Sequence, residues 1–123
     1  SIENDTNVPE SLRSHFSGIA FGCDICQDVC PLSATPVRAS ERFVPREVST
    51  WTLERLAGMT PEEYATQVPG TPLARAGYDG LRRNACYALG AAKQVAAKTL
   101  LDTLSNDSSP PVREAARWAL EQL

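Results

Sequence analysis

The sequence predicts an all-α protein whose last third is an α-solenoid of stacked helices. The stretch "LRRNACYALG" from Leu81 aligns with "VREAARWALE" from Val112 at an offset of 31 residues. The residues between these two stretches carry leucines at helical spacing. Capping residues, glycines and prolines divide the middle of the chain into shorter helices. With 123 residues, the chain fits one compact domain.

The first predicted element is a short helix over residues 10–16, which places Leu12 and Phe16 on one face. A dense cysteine run, "GCDICQDVCP", follows it. Residues 31–50 contain three prolines and show no sustained period, so we expect a loop that wraps over the surface.

Two short helices are predicted next. In "STWTLERLAG", Ser49 or Thr50 can cap a helix that runs to about Ala57, and Gly58 ends it. In "TPEEYATQVPG", Thr60 is a capping residue that is followed by proline at the first helical position and by glutamate three residues after the cap. We expect this second helix to end before the Pro-Gly pair.

The repeat at residues 78–123 is expected to read helix, turn at Gly90, helix, loop and helix. Ser109 is the predicted cap of the last helix. The middle helix should carry its apolar residues on one face, namely Val95, Leu100, Leu101 and Leu104. Small residues allow the outer two helices to approach closely, and we assign that role to Ala85, Ala88, Ala116 and Ala119.

This segment resembles HEAT-like repeats. A pair and a half of repeats cannot close a core alone, so it must pack against the earlier helices or another domain. Leu89 and Leu120 occupy matching inward positions of the repeat, whereas Tyr87 and Trp118 are expected at the edge of the buried face.

The cysteine run predicts metal or redox chemistry, since the sequence shows no export signal and its cysteines should be reduced. Cys23, Cys26, Cys30 and the proline after them match the tail of the iron–sulfur ligand run C-x2-C-x2-C-x3-C-P. The first cysteine of that run would fall at Ala20. This stretch therefore lacks one ligand of a local four-thiolate set.

Two other residues of the sequence, a cysteine and a histidine, are potential metal ligands. Cys86 lies inside a repeat helix and is interpreted as a packing residue. His15 is the only histidine that could join Cys23 and Cys26 around zinc, although the trailing C-x3-C-P favours iron–sulfur. The sequence contains no phosphate-binding loop, G-x-S-x-G elbow or H-E-x-x-H helix, so we expect no catalytic residues in this chain.

The stretches "VPESLRSHFSGIAFGCDICQDVCP", "GLRRNACYALG" and "SPPVREAARWAL" together resemble the C-terminal part of the epoxyqueuosine reductase family. The resemblance implies a cobalamin-dependent iron–sulfur oxidoreductase that completes queuosine in tRNA. Its cobalamin-binding catalytic domain and first cysteine run would precede this chain, which alone should be inactive. Residues 1–35 would then be the remnant of a two-cluster ferredoxin-like domain, and residues 36–123 a helical domain.

The same resemblance implies the roles of the cysteines. Cys23 and Cys26 would ligate one [4Fe-4S] cluster and Cys30 the other, with the remaining ligands upstream. We expect neither cluster to be held by the isolated chain, and any zinc there would be adventitious. A cytoplasmic protein without a membrane span is expected, since the sequence has no long apolar run.

The charge distribution points to a possible RNA surface. Residues 1–69 carry five arginines against ten acidic residues, whereas residues 70–123 carry seven basic against five acidic residues. If the family resemblance holds, basic residues around the predicted Gly90 turn would face the tRNA backbone: Arg82, Arg83, Lys93 and Lys98. Alternatively, Arg82 braces a neighbouring repeat through a helix end or a carboxylate such as Asp79.

A different class of function also fits the sequence. The chain could be a HEAT-like protein-interaction module whose cysteines are structural or bind zinc. Iron with acid-labile sulfide would favour the oxidoreductase hypothesis, and stoichiometric zinc would favour the interaction module.

Overall fold

A computed structural model describes residues 4–34 and 44–123. Every regular element in these two ranges is helical, which confirms the all-α prediction. The α-helices are α1 (Glu10–Arg13), α2 (Ile25–Asp28), α3 (Leu53–Ala57), α4 (Pro61–Gln67), α5 (Gly77–Ala91), α6 (Lys98–Leu104) and α7 (Pro110–Gln122). Short 3-10 helices span Ser14–Phe16, Pro31–Ala34, Glu47–Thr50, Pro72–Ala76 and Val95–Ala97.

Two predictions fall on residues that the structure does not describe. The boundary between residues 35 and 36 lies outside the described residues, and so does the middle of the predicted 31–50 loop. Among the helices that are described, none is both long and apolar enough to cross a membrane.

Capping chemistry sets the start of α3 and α4. Thr60 and Glu63 form the predicted capping box, with the Thr60 hydroxyl accepting from the Glu63 N–H at 3.2 Å and the Glu63 carboxylate accepting from the Thr60 N–H at 2.9 Å. The predicted caps of α3 were wrong. Ser49 and Thr50 instead donate their hydroxyls to carbonyls within the preceding 3-10 helix, and Thr52 caps α3.

Helices α5 and α7 form the centre of the fold and run in the same direction. Arg82 near the start of α5 pairs with Asp107 just before α7, and Gly90 near the end of α5 approaches Ala119 near the end of α7. Helix α6 returns between them and packs against α7. This arrangement buries the four alanines assigned to close packing, Ala85, Ala88, Ala116 and Ala119, and so confirms that prediction.

Gly90 is not the predicted turn. It lies inside α5, which continues to Ala91, and the chain reverses at Lys93, whose φ is 51°. A Cβ at position 90 would lie 2.6 Å from the Ala119 Cα, so a glycine is needed for helix approach.

Three further predictions need correction, two about the core and one about a helix cap. Val95 is exposed in a 3-10 helix, whereas Leu101 and Leu104 are buried as expected. Ser109 precedes α7, but its buried hydroxyl caps no backbone N–H. Tyr87 is fully buried because Phe16 and Arg13, from the N-terminal segment, cover its ring.

Candidate metal-ligand loop and basic surface

The cysteine loop, residues 22–30, projects from the first helical segment. Gly22 turns the chain with a φ of 70°, and the Asp24 carbonyl accepts the backbone N–H groups of Gln27 and Asp28 to start α2. This local folding places Cys23 before α2, Cys26 within it and Cys30 after it. The Cys23 and Cys26 side chains are exposed and Cys30 is half-buried, so all three are accessible to a ligand.

The three thiols do not assemble a complete metal site with other described residues. Within residues 4–34 and 44–123, no three Cys, His, Asp or Glu side chains form a group that could hold a metal ion. Cys86 is fully buried in α5, as predicted for a packing residue, and burial raises its pKa to about 12. His15 is exposed on the Ser14–Phe16 turn. The described residues therefore fit only part of a four-ligand cluster.

The backbone that follows Cys30 favours its ionised form. The backbone N–H groups of Leu32 and Ser33 lower the pKa of its thiol and favour the thiolate. The thiolate is the form of cysteine that binds metal.

An apolar groove of about 430 Å³ lies beside the cysteine loop, with Cys23 and His15 at its edge. Its apolar lining comes from the segment before the cysteines and from the start of α2: Val8, Leu12, Phe16, Ile19, Phe21 and Ile25. Leu12 is 51% exposed, Ile25 62% and nearby Val29 75%. Such a concentration of exposed apolar side chains is typical of an interaction surface.

Arg82 is turned into the protein, where it joins α3, α5 and the loop before α7. Its guanidinium pairs with Asp107 at 2.5 Å and donates to the Ala57 carbonyl at 3.2 Å. It also lies 3.8 Å from Asp79 and stacks over Tyr78. This geometry matches the bracing alternative for Arg82.

Arg83 is also buried and serves the N-terminal segment. Its guanidinium donates to the carbonyls of Asn4 and Thr6 and to the side chain of Asn84. The structure thus separates the four predicted RNA-facing residues, because Arg82 and Arg83 point inward whereas Lys93 and Lys98 are exposed beside the turn between α5 and α6.

Sequence reasoning missed the pair formed by Arg13 and Glu114, whose side chains meet at 2.8 Å although 101 positions separate them. No local signal marks either residue. The pairing depends on how the N-terminal segment crosses α5 and α7.

Comparison with known proteins gives a consistent set of relatives. No protein-family model matches the chain, and no solved structure matches it. Epoxyqueuosine reductases from Xanthomonas campestris pv. campestris and Pseudomonas aeruginosa are each 34% identical to it, over 99% of this chain and 35% of their own length. The epoxyqueuosine reductase from Gloeobacter violaceus is 36% identical over 74% of this chain. The chain spans about a third of the length of these relatives.

Proposed function

Because the chain is homologous to a C-terminal part of epoxyqueuosine reductases, we propose that it supplies cluster ligands and an RNA-holding surface to an enzyme of that activity. Such an enzyme reduces epoxyqueuosine to queuosine in tRNA and would work in the cytoplasm. The observation that carries this proposal is the alignment over 99% of the chain, which includes the cysteine loop.

Cys23, Cys26 and Cys30 are the proposed ligands, shared between two [4Fe-4S] clusters. Their exposure and the lowered pKa of Cys30 support this role. The other ligands would come from polypeptide outside this chain, and so would the site of the cobalamin that the resemblance implies. This division of ligands accounts for the incomplete set among the described residues.

The apolar groove is the proposed contact with that additional polypeptide, the catalytic domain. It borders Cys23, so a domain that seats there would bring its own ligands close to the cysteine loop. Burying Leu12, Ile25 and Val29 would also remove exposed apolar surface from water.

Lys93 and Lys98 are the proposed phosphate contacts. Both are exposed: Lys93 lies in the turn after α5 and Lys98 begins α6, so their charges can meet the tRNA backbone at one end of the α5–α6 pair. Arg82 and Arg83 are assigned to the protein interior instead, because their guanidinium groups are engaged there. HEAT-like stacking of α5, α6 and α7 would hold the two lysines in place.

Iron and acid-labile sulfide, measured after anaerobic reconstitution, test the ligand assignment. We expect the chain to retain a cluster only when it is combined with the N-terminal two-thirds of the Pseudomonas aeruginosa relative. Substitutions C23S, C26S and C30S should each reduce the retained iron, whereas C86S serves as the matched control and should not. Stoichiometric zinc without sulfide would support the interaction-module alternative.

The RNA surface is tested by the salt dependence of tRNA affinity. Each lost phosphate contact should reduce the slope of log K against log salt by about 0.7, the value for single strands, to about 0.9, the value for duplex DNA, so K93Q/K98Q should flatten it by up to about 2 units. The control is R55Q, because Arg55 lies on α3 and pairs with Glu47. Equal slopes for wild type and K93Q/K98Q would exclude these lysines as phosphate contacts.

A further inference from the structure

The segment that leads to the cysteine loop is anchored on the repeat helices. We call residues 4–20 the strap. Val8 and Ala20 of the strap are buried in the same apolar core as α5 and α7. The strap therefore shares its core with the helices, whereas the thiols of Cys23 and Cys26 just beyond it are exposed.

Arg13 makes the central connection between the strap and α7. Its guanidinium pairs with Glu114 at 2.8 Å and donates through Nε to the Val8 carbonyl at 2.8 Å. The same group lies over the Tyr87 ring at 5.3 Å and near the Trp118 ring at 6.0 Å. With a side chain that is only 13% exposed, Arg13 is held from several directions.

Three neighbouring contacts also hold the strap. Arg83 of α5 donates to the Thr6 carbonyl at 2.7 Å, and Phe16 packs on Tyr87 with ring centroids 5.5 Å apart. Asn7 adds a hydrogen bond to Glu114, the same carboxylate that pairs with Arg13. Arg13 lies between Asn7 and Phe16, so its loss would remove the ion pair between the strap and α7, although the hydrogen bond from Asn7 to Glu114 would remain.

The cysteines lie close to the end of this anchored segment. Ala20 is buried and Cys23 is three residues later, which limits the distance between their Cα atoms to about 11 Å. A large displacement of the strap would therefore carry Cys23 with it, and α2 follows directly.

We propose that Arg13 is a positioning residue for the cysteines: through the strap, it sets where Cys23 and Cys26 lie relative to α5 and α7. Its significance for cluster binding rests on the proposed function. The positioning itself is a property of the polypeptide and can be measured without metal. It would hold the ligands at a constant distance from the surface that carries Lys93 and Lys98.

Spin-label distances in the full 123-residue chain test this proposal. One nitroxide is attached to Cys26 in a C23S/C30S background, and the other to an E121C substitution at an exposed site on α7. Cys86 stays unlabelled because it is fully buried. We expect a single narrow distance distribution in this background, and R13A should at least double its width while far-UV circular dichroism retains the helical signal.

Two further variants separate positioning from general destabilisation. R13K keeps a charge for Glu114 but lacks the fork that also reaches Val8, so we expect an intermediate width. R117Q removes another α7 arginine, one that donates to the Ser105 carbonyl, and should leave the width unchanged. If R13A does not fold, E114Q provides the test, with a broadening smaller than that expected for R13A.

An unchanged width in folded R13A, or in E114Q when R13A does not fold, would overturn the proposal. Broadening of the same size in R117Q would overturn it as well. Iron retention is measured separately on unlabelled protein. Failure of C23S and C26S to reduce retained iron would contradict the proposed function while leaving the distance result valid.

Discussion

Substituting Gly90 by alanine tests the closest helix contact in the fold. A Cβ at this position would lie 2.6 Å from the Ala119 Cα, 2.8 Å from the Ala119 Cβ and 3.0 Å from the Trp118 ring. The first of these atoms belongs to the backbone of α7 and cannot move by a change of rotamer. Helices α5 and α7 would have to separate to admit one methyl group.

Two opposing terms determine the size of the effect. Alanine stabilises a helix interior by about 0.5–1 kcal/mol relative to glycine. Overpacking a core costs about 1–3 kcal/mol, and the backbone contact at position 90 puts this case in the upper half of that range. We therefore expect G90A to reduce the free energy of unfolding by about 1–2.5 kcal/mol, since the overlap outweighs the propensity gain.

The matched control is G80A in the same helix. A Cβ at Gly80 would meet only the Ala76 Cβ at 3.7 Å and the Arg83 guanidinium at 4.0 Å, which are ordinary contacts. Because the new methyl group overlaps no neighbour, only the higher helix propensity of alanine contributes, and G80A should stabilise the protein by about 0.5–1 kcal/mol.

Urea denaturation followed by circular dichroism measures both variants. The two substitutions should shift the midpoint in opposite directions at constant m-value, and each 1 kcal/mol should move Tm by roughly 3–5 °C for a chain of this size. If G90A were as stable as G80A, α5 and α7 would not approach as closely as the Gly90–Ala119 distances indicate.

Three other substitutions or conditions have expected outcomes. Leu89 is fully buried, so L89A should reduce the free energy of unfolding, measured in urea, by about 2–5 kcal/mol. Leu120 is half-buried, so L120A should reduce it by less, and equal reductions would contradict this difference in burial. Burial raises the pKa of Asp107, but hydrogen bonds from Arg82 and a backbone N–H outweigh it and hold the pKa below its usual range. The resulting stability is present above the unfolded pKa of about 3.9 and is lost as pH falls through the folded pKa, so D107N should flatten the acid limb of Tm against pH. With a pKa of about 12, Cys86 should react with a thiol reagent at pH 8 only after unfolding, while the other three cysteines react at once; four fast thiols would refute its burial.

Local chemistry accounts for the elements that the sequence predicted well. The capping box of Thr60 and Glu63 uses residues within one turn, so its partners are visible in the sequence. The end of α3 at Gly58 is local in the same way. The start of α3 was misplaced because three hydroxyl residues follow one another closely, and two of them bond to carbonyls of the preceding turn.

Tertiary contacts account for the errors. The sequence predicts Tyr87 at the edge of the buried face because helical periodicity identifies the face of α5 that packs on its repeat partner and contains no information about other segments. The N-terminal segment then covers its ring through Phe16 and Arg13, residues that are more than 70 positions away. Gly90 was interpreted as a turn for a similar reason, since a glycine required by a neighbouring helix has the same local appearance as one required by a bend.

The cysteine spacing identified candidate ligands but could not define a complete site. Cysteines that are close in sequence are expected in one local segment, and Cys23, Cys26 and Cys30 do lie in one loop. A four-ligand site also needs residues brought together by folding, and the described part of the chain contains no complete group. The sequence could indicate a missing ligand at Ala20 without indicating what replaces it.

The repeated arginines illustrate how sequence identity and function can separate. Arg82 and Arg113 are identical at the 31-residue offset, and both contact Asp107: Arg82 through the carboxylate at 2.5 Å, and Arg113 through the backbone carbonyl at 2.8 Å. One loop is thus held from α5 and from α7 by equivalent residues. This shared structural contact accounts for an arginine at the same position of both stretches without any contact to RNA. Lys93 and Lys98 are exposed, whereas Arg82 and Arg83 are buried and bonded within the protein, so the two lysines are better candidates for phosphate contacts than these arginines.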